Sequence, residues 1–324
     1  MKRVLFACSV LFLCAAALVP VLRADVKTTD KTTFKLEGMM GAMLNRAAGG
    51  ADGITSTVAL KGNRMSRMNQ NTGQIIDLAE EKVYEVNLKT KEYSVMTFAE
   101  MRTAMEQARA EAAKRQEQMN PQDKQALSDA AKQFEFDVKV DKTGQHKELS
   151  GYNTEQVVLT LTMRQAGKKL EEGGGFVMTN TMWMAPKIAA LEELTDFNLK
   201  YFKAVYSGLL PGFDGQQAAA LSAMLPGMGQ LMEKMASEGR KMTGTPLSTT
   251  SVLETVKSQE QVASAPAASG GGISGMLARR MARGSSEPRT TTLTTTHDML
   301  TIGTSVSADD VAVPAGFKLV QKKK

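Results

Sequence analysis

The chain has 324 residues, with 40 basic and 34 acidic side chains and a formal net charge of +6 at pH 7. This weak basic excess argues against nucleic-acid binding, which needs a strongly basic surface. Both cysteines, Cys8 and Cys14, lie in an N-terminal segment that we expect to be removed, so disulfides and thiol chemistry are not expected in the mature protein.

The first 24 residues have the pattern of a secretory signal peptide. Two basic residues precede an apolar run from Val4 to Leu22, and small Ala24 stands before a polar segment. A membrane anchor is the alternative, but Pro20 shortens a run that would need about 20 apolar residues to span a bilayer. We therefore predict cleavage after Ala24, export to the periplasm, and a single mature domain over 25–324.

The mature chain begins with short alternating strands. In 53–61, apolar residues alternate with small or polar ones, which is the period of a half-buried strand. The short connections between successive strands predict an antiparallel meander. Six strands are predicted in this part of the chain: 27–37, 53–61, 64–70, 74–79, 82–88 and 92–97.

Helical spacing then replaces the alternation over 98–133. Met101, Met105 and Ala108 recur at helical intervals, and Asn120 has the character of a cap for a second helix. Strands are predicted to resume with the alternating Phe134, Phe136, Val138 and Val140, and again near 153–164 and 176–185.

The last part of the chain mixes helices with further strands. Helices are predicted over 187–209 and 215–241, followed by strands near 246–257, 287–306 and 317–320. The segment 258–286 is rich in Ser, Ala and Gly, which predicts a flexible insertion. The whole pattern predicts an α+β fold, a curved antiparallel sheet with helical segments at 98–133 and 187–241.

Two predicted hairpin tips, 38–50 and 270–284, are apolar, although hairpin turns are usually short and polar. Either these tips fold back into the core, or they contact a partner or a membrane surface, where arginines beside apolar residues suit an interfacial helix. The candidate contact residues are Met39, Met40, Met43, Met276, Leu277 and Arg280.

The sequence offers no constellation for catalysis or structural metal binding. His146 and His297 lack a partner at metal-ligand spacing, so we expect both to be solvated. No nucleophile elbow, phosphate loop or dinucleotide fingerprint occurs. The 22 methionines favour ordinary core packing or a pliable apolar pocket, with Cu(I) binding as the alternative. We predict a protein that is not an enzyme and has no cofactor.

A series of short motifs resembles exported bacterial proteins of unknown function that are grouped with the LolA/LolB-like lipoprotein carriers. The resemblance spans the mature chain except for its insertions. It implies an incomplete β-barrel, in which a curved antiparallel sheet wraps a hydrophobic cavity under a helical lid. The motifs are, in order, Lys61-Gly62-Asn63-Arg64-Met65, Ile75-Ile76-Asp77-Leu78, Lys82-Val83-Tyr84, Lys91-Glu92-Tyr93, Gly151-Tyr152-Asn153-Thr154, Met182-Trp183-Met184-Ala185 and Val313-Pro314-Ala315-Gly316-Phe317.

The favoured hypothesis is a periplasmic protein that shelters a lipid, an acyl chain or a lipoprotein moiety. The ligand would lie between the concave sheet and a methionine-bearing lid near 210–241, because ligand pockets are mostly apolar. The alternative is a structural or interaction protein of the envelope that contacts a partner or the membrane through its apolar tips. The predicted lining residues are Phe134, Phe136, Trp183, Met224, Met228 and Met232.

Overall fold

A computed structural model describes residues 25–37, 52–118, 120, 122, 134–206, 228–263 and 287–321. The predicted signal peptide and both apolar tips lie outside these ranges.

Twelve strands of the described residues form one sheet, in the order β12-β6-β5-β4-β3-β2-β1-β11-β10-β9-β8-β7. Neighbouring strands run antiparallel, except that β12 is parallel to β6. The strands are β1 (Val26–Leu36), β2 (Ile54–Lys61), β3 (Arg64–Asn69), β4 (Thr72–Asp77), β5 (Lys82–Asn87), β6 (Glu92–Thr97), β7 (Phe134–Leu149), β8 (Tyr152–Gln165), β9 (Gly175–Ala185), β10 (Thr245–Val256), β11 (Arg289–Gly303) and β12 (Lys318–Leu319).

Two antiparallel meanders, β1 to β6 and β7 to β11, join where β1 pairs with β11. Among the described residues the edge strands β7 and β12 do not pair with each other, so the sheet is open and does not close into a barrel. The predicted α+β class and the large antiparallel sheet are confirmed, and the observed strands match the predicted ones closely.

Five helices interrupt the strands of the described chain. The first begins with a reciprocal cap: the Glu100 N–H donates to Thr97 Oγ1 at 3.1 Å, and the Thr97 N–H donates to Glu100 Oε2 at 2.7 Å. None of these helices is long and apolar enough to cross a membrane. They are α1 (Phe98–Gln118), α2 (Leu170–Gly173), α3 (Ala189–Tyr206), α4 (Met228–Gly239) and α5 (Gln259–Ala263).

The main core lies where α1 and α3 pack on β1 to β5 and on the ends of β9 and β10. Phe98 is completely buried, and its ring meets the ring of Tyr201 edge-on at a centroid distance of 5.4 Å. Burying such side chains contributes about 1.5–3 kcal/mol each. The fully packed members are Val26, Val58, Leu60, Met65, Ile76, Val83, Phe98, Ala185, Ile188, Leu191, Phe197, Val205 and Leu247.

A short 3-10 turn, Asp309–Val311, ties the C-terminal segment to the first strands. Lys27 Nζ lies 2.6 Å from Asp310 Oδ1, and the hydroxyl of Ser66 donates to the Asp310 carbonyl. The hydrogen bond from Lys27, with others from Ser307, lowers the pKa of Asp310 to about 2. The ion pair between Lys27 and Asp310 therefore holds this C-terminal turn against the beginning of β1.

Helix α4 lies against the edge strand β7 rather than over the main core. The Val140 N–H donates to Glu238 Oε2 at 3.1 Å, and Lys234 Nζ donates to the Phe136 carbonyl at 2.7 Å. An uncovered edge offers unpaired backbone groups to other chains. Side chains of α4 satisfy two of these groups on β7.

Candidate functional site

One row of apolar side chains crosses six adjacent strands. Directly paired residues on neighbouring strands point to the same side of a sheet, so these side chains share one face. All six are half-buried, and none belongs to the main core. The apolar row consists of Val138, Leu161, Met178, Leu253, Leu293 and Leu36, each opposite the next in register.

Further apolar side chains extend this surface on both sides of the row. Phe136 pairs with Met163, which pairs with Phe176, and Phe176 is 42% exposed. On the other side of the row, Phe34 is 36% exposed and shares the face with Leu36 because the two residues are two positions apart on β1. The apolar surface therefore widens at β7 to β9 on one side of the row and at β1 on the other, whereas Thr295, Ser251 and Asn180 beside Phe34 are polar.

The structure brings some of the predicted lining residues to this face. Phe134 and Phe136 lie on β7 and alternate with charged residues, and Phe134 is 40% exposed. Trp183 is an odd number of residues from Met178 along β9, so it lies on the opposite face of the sheet. There it makes a cation–π contact with Lys147, whose Nζ lies over the indole ring at 4.0 Å from the ring centroid. The structure therefore does not bring Trp183 together with the two phenylalanines.

The predicted methionines fall mainly outside the described part. Met224 is outside the described residues, and Met228 and Met232 belong to α4, of which only the backbone is described at these two positions. The predicted contact residues in both tips are also outside the described ranges, namely Met39, Met40, Met43, Met276, Leu277 and Arg280.

A cavity of about 280 Å³ lies on the same face, between the centre of the sheet and helix α3. Its lining combines an apolar wall with polar side chains, and we call it the polar cavity. Leu194 and Asn198 of α3 form one side. The sheet contributes Thr28, Asp30, Thr32, Ser56, Val58, Met65, Arg67, His297 and Met299.

Asp30 is the acidic residue of the polar cavity. Its Oδ2 atom accepts a hydrogen bond from the Thr28 hydroxyl at 3.3 Å, whereas its buried Oδ1 atom has no partner among the described residues. Burial raises the pKa of the Asp30 carboxyl above its ordinary value of 3.8, and the charges of His297 and Arg67 partly oppose that increase. The carboxylate is thus a buried acceptor with unused hydrogen-bonding capacity.

Sequence reasoning missed the polar cavity because its residues come from four separate parts of the chain, 28–32, 56–67, 194–198 and 297–299. His297 was expected to be solvated, and its side chain is exposed, but its ring also lines the polar cavity and lies 3.1 Å from the Thr32 hydroxyl through Nδ1. Alternation in β1 was the available signal, because it places Asp30 on the same face as buried Val26 and Thr28.

The polar cavity and the apolar row form one continuous path along β1. Asp30, Thr32, Phe34 and Leu36 alternate onto the same face of that strand, without a register shift between them. At about 3.3 Å per residue, the distance from Asp30 to Leu36 is roughly 20 Å. A polar recognition group and an apolar surface are therefore placed end to end.

Within the described ranges, no group of three or more His, Cys, Asp or Glu side chains is arranged to hold a metal ion.

No protein-family model and no curated protein matches the sequence. Among solved structures, the chain is similar to one described as "Structure of PNGF-II in C2 space group", with 8% sequence identity and a TM-score of 0.27. That match covers 92% of this chain and 31% of the other chain, so this chain spans about a third of its length. The likeness is too weak to carry an argument about fold or function.

Proposed function

We propose that this is a non-enzymatic binding protein that holds the acyl chain of a lipid or lipidated molecule on the apolar face of its sheet. The apolar row carries this proposal. An antiparallel sheet with one face in water normally places polar side chains on that face. Here six strands in succession place an apolar side chain at the same level.

The energetics favour an acyl chain as the ligand. Each buried methylene contributes about 0.8 kcal/mol, so ten methylenes contribute roughly 8 kcal/mol before the cost of association is subtracted. The path from Asp30 to Leu36 is also long enough for such a chain, because half of a bilayer's hydrocarbon core is about 15 Å thick.

Helix α4 is the proposed lid. It lies along the edge strand β7, because Lys234 binds the backbone of Phe136 and Glu238 binds that of Val140. In α4, Met228, Met232 and Met235 recur at helical spacing, and flexible methionines adapt to apolar ligands of different shape. Together with the predicted signal peptide, these features lead us to propose a periplasmic carrier related to the LolA/LolB-like group.

The proposal is tested by matched substitutions on β10. Leu253→Thr removes the apolar row's central side chain, whereas Val252→Thr makes a similar change on the opposite face, where Val252 pairs with two threonines, Thr179 and Thr294. We expect L253T to weaken binding of a fluorescent fatty acid at least tenfold, with V252T unchanged.

Organic extraction and mass spectrometry of the wild-type protein from its own envelope should also release lipid. Equal binding by both variants, with no lipid released, would refute the proposal.

A second candidate function is supported by the end of the sheet from which both apolar tips depart. Leu36 and Leu293 pair near that end, and Val256 pairs there with Arg289. The strands that flank 38–51 and 264–286 therefore end close together, beside exposed Phe34 and Ile54. Under this alternative, the two tips jointly contact an envelope partner or the membrane. Deleting 270–284 should then abolish liposome binding while leaving fatty-acid binding intact.

A further inference from the structure

Three charged or titratable side chains face the polar cavity: Asp30, Arg67 and His297. Asp30 supplies a carboxylate and Arg67 a guanidinium to the same cavity. A cavity with this pair complements a ligand that itself carries one positive and one negative group.

Asp30 requires a donor that the protein does not provide. The Oδ1 atom is buried and has no hydrogen-bond partner among the described residues, and the neighbouring Oδ2 has only the long bond from Thr28. A buried acceptor without a partner destabilises the folded protein. An N–H donor that carries a positive charge, bound in the cavity that Asp30 lines, would pair with this carboxylate and offset its unfavourable burial.

Arg67 is available for the opposite charge. Its side chain is exposed and lines the same cavity, and none of the ion pairs within the described ranges includes it. Arg67 and Asp30 are close enough to influence each other electrostatically without forming a salt bridge. A guanidinium offers paired N–H groups that fit phosphate or carboxylate oxygens.

We propose that the polar cavity selects ligands whose head group joins a primary ammonium to a phosphate or carboxylate, with the ammonium on Asp30 and the anion on Arg67. This inference rests on the proposed function, because the apolar row would hold the acyl chain that follows the head group. A fatty acid alone would leave Asp30 unsatisfied, and a quaternary ammonium has no N–H to donate. The same chemistry occurs in an ethanolamine phospholipid and in free phosphoethanolamine.

The experiment uses the mature full-length chain and three lysophospholipids that each carry one palmitoyl chain, which is long enough to extend from the polar cavity to the apolar row. The ethanolamine lipid carries a primary ammonium, the choline lipid carries a quaternary ammonium, and the glycerol lipid carries none. Calorimetric titration should give at least tenfold tighter binding of the ethanolamine lipid. Asp30→Asn should remove that preference, and Arg67→Gln should weaken the ethanolamine and choline lipids alike.

The outcomes separate the two proposals. Equal affinity for all three lipids, unaffected by D30N but reduced by L253T, would overturn head-group selection and leave acyl binding intact. Failure of L253T to affect any of the lipids would overturn the proposed function. Free phosphoethanolamine binding as tightly as the lipid would assign the cavity to a soluble zwitterion, and so overturn its role as a lipid head-group site. The thermal midpoint of each variant confirms that it is folded.

Discussion

Leu36 on the first strand lies directly opposite Leu293 on the last long strand, and this pair joins the two halves of the sheet within the apolar row. A cross-strand apolar pair contributes roughly 0.2–1 kcal/mol. Leu36→Thr and Leu293→Thr should each lower the free energy of unfolding measured in urea. We expect the loss in the double variant to differ from the sum of the two single losses by that amount. Leu36→Thr combined with Leu300→Thr is the control, since Leu300 is exposed and does not pair with Leu36, and its deviation from additivity should be smaller than that of the Leu36–Leu293 pair. Additivity in both pairs would show that the two leucines do not interact.

Phe98 should be among the most sensitive core positions. Its side chain is completely buried where α1 begins and contacts Tyr201 of α3. Phe98→Ala should lower the free energy of unfolding by about 3–5 kcal/mol, through lost burial and the cavity left behind. Phe202→Ala is the matched control, since Phe202 is 46% exposed on the same helix as Tyr201. Chemical denaturation of both variants tests this, and equal losses would contradict the assigned packing.

Asp30→Asn should stabilise the protein at neutral pH. Burial raises the pKa of Asp30 in the folded protein, so ionising this carboxyl opposes folding as the pH rises through and beyond its ordinary value of 3.8. The amide removes that charge. The thermal midpoint of D30N should therefore exceed that of the wild type at pH 7, and the difference should shrink towards pH 3. A lower midpoint at pH 7 would mean that the carboxylate stabilises the fold.

Asp310→Asn should have the opposite pH dependence. The hydrogen bond from Lys27 lowers the pKa of Asp310 to about 2, so its ionised form stabilises the folded protein above its ordinary pKa of 3.8. That contribution is lost as the pH falls from about 4 towards 2. D310N should lower the thermal midpoint at pH 7 and have little effect near pH 2. Asp309→Asn is the control, because Asp309 is exposed and adjacent; a similar loss in D309N would point to a general charge effect.

Glu238→Ala should expose the backbone of the edge strand β7. The Val140 N–H donates to Glu238, so its hydrogen exchange should become faster in this variant. Glu233→Ala, on the same helix and exposed, should leave the exchange unchanged. Hydrogen–deuterium exchange of peptides that contain Val140 should be measured in both variants and in the wild type. Light scattering should also detect association of E238A, because an uncovered edge pairs with other chains. Unchanged exchange in E238A would show that α4 does not protect this edge.

The sequence by itself determined the secondary structure and the class of fold. Alternation in 53–61 and in Phe134 to Val140 and helical spacing after Phe98 are local properties of neighbouring residues, and the observed strands and helices follow them. Alternation also placed Phe134 and Phe136 on one face of β7, as the structure has them. A local pattern is sufficient wherever a residue's environment is set by its own strand or helix.

Only the tertiary structure decided how the two meanders join, and therefore which side chains from distant parts of the chain meet. Pairing of β1 with β11 brings Asp30 beside His297 and Leu36 opposite Leu293, although each pair is separated by most of the chain. Trp183 shows the same dependence, since the pairing of Met163 with both Phe136 and Phe176 decides which face of β9 continues from β7, and Trp183 is on the other face. Strand order depends on burial of the whole apolar surface, a non-local free energy that no short segment of sequence specifies.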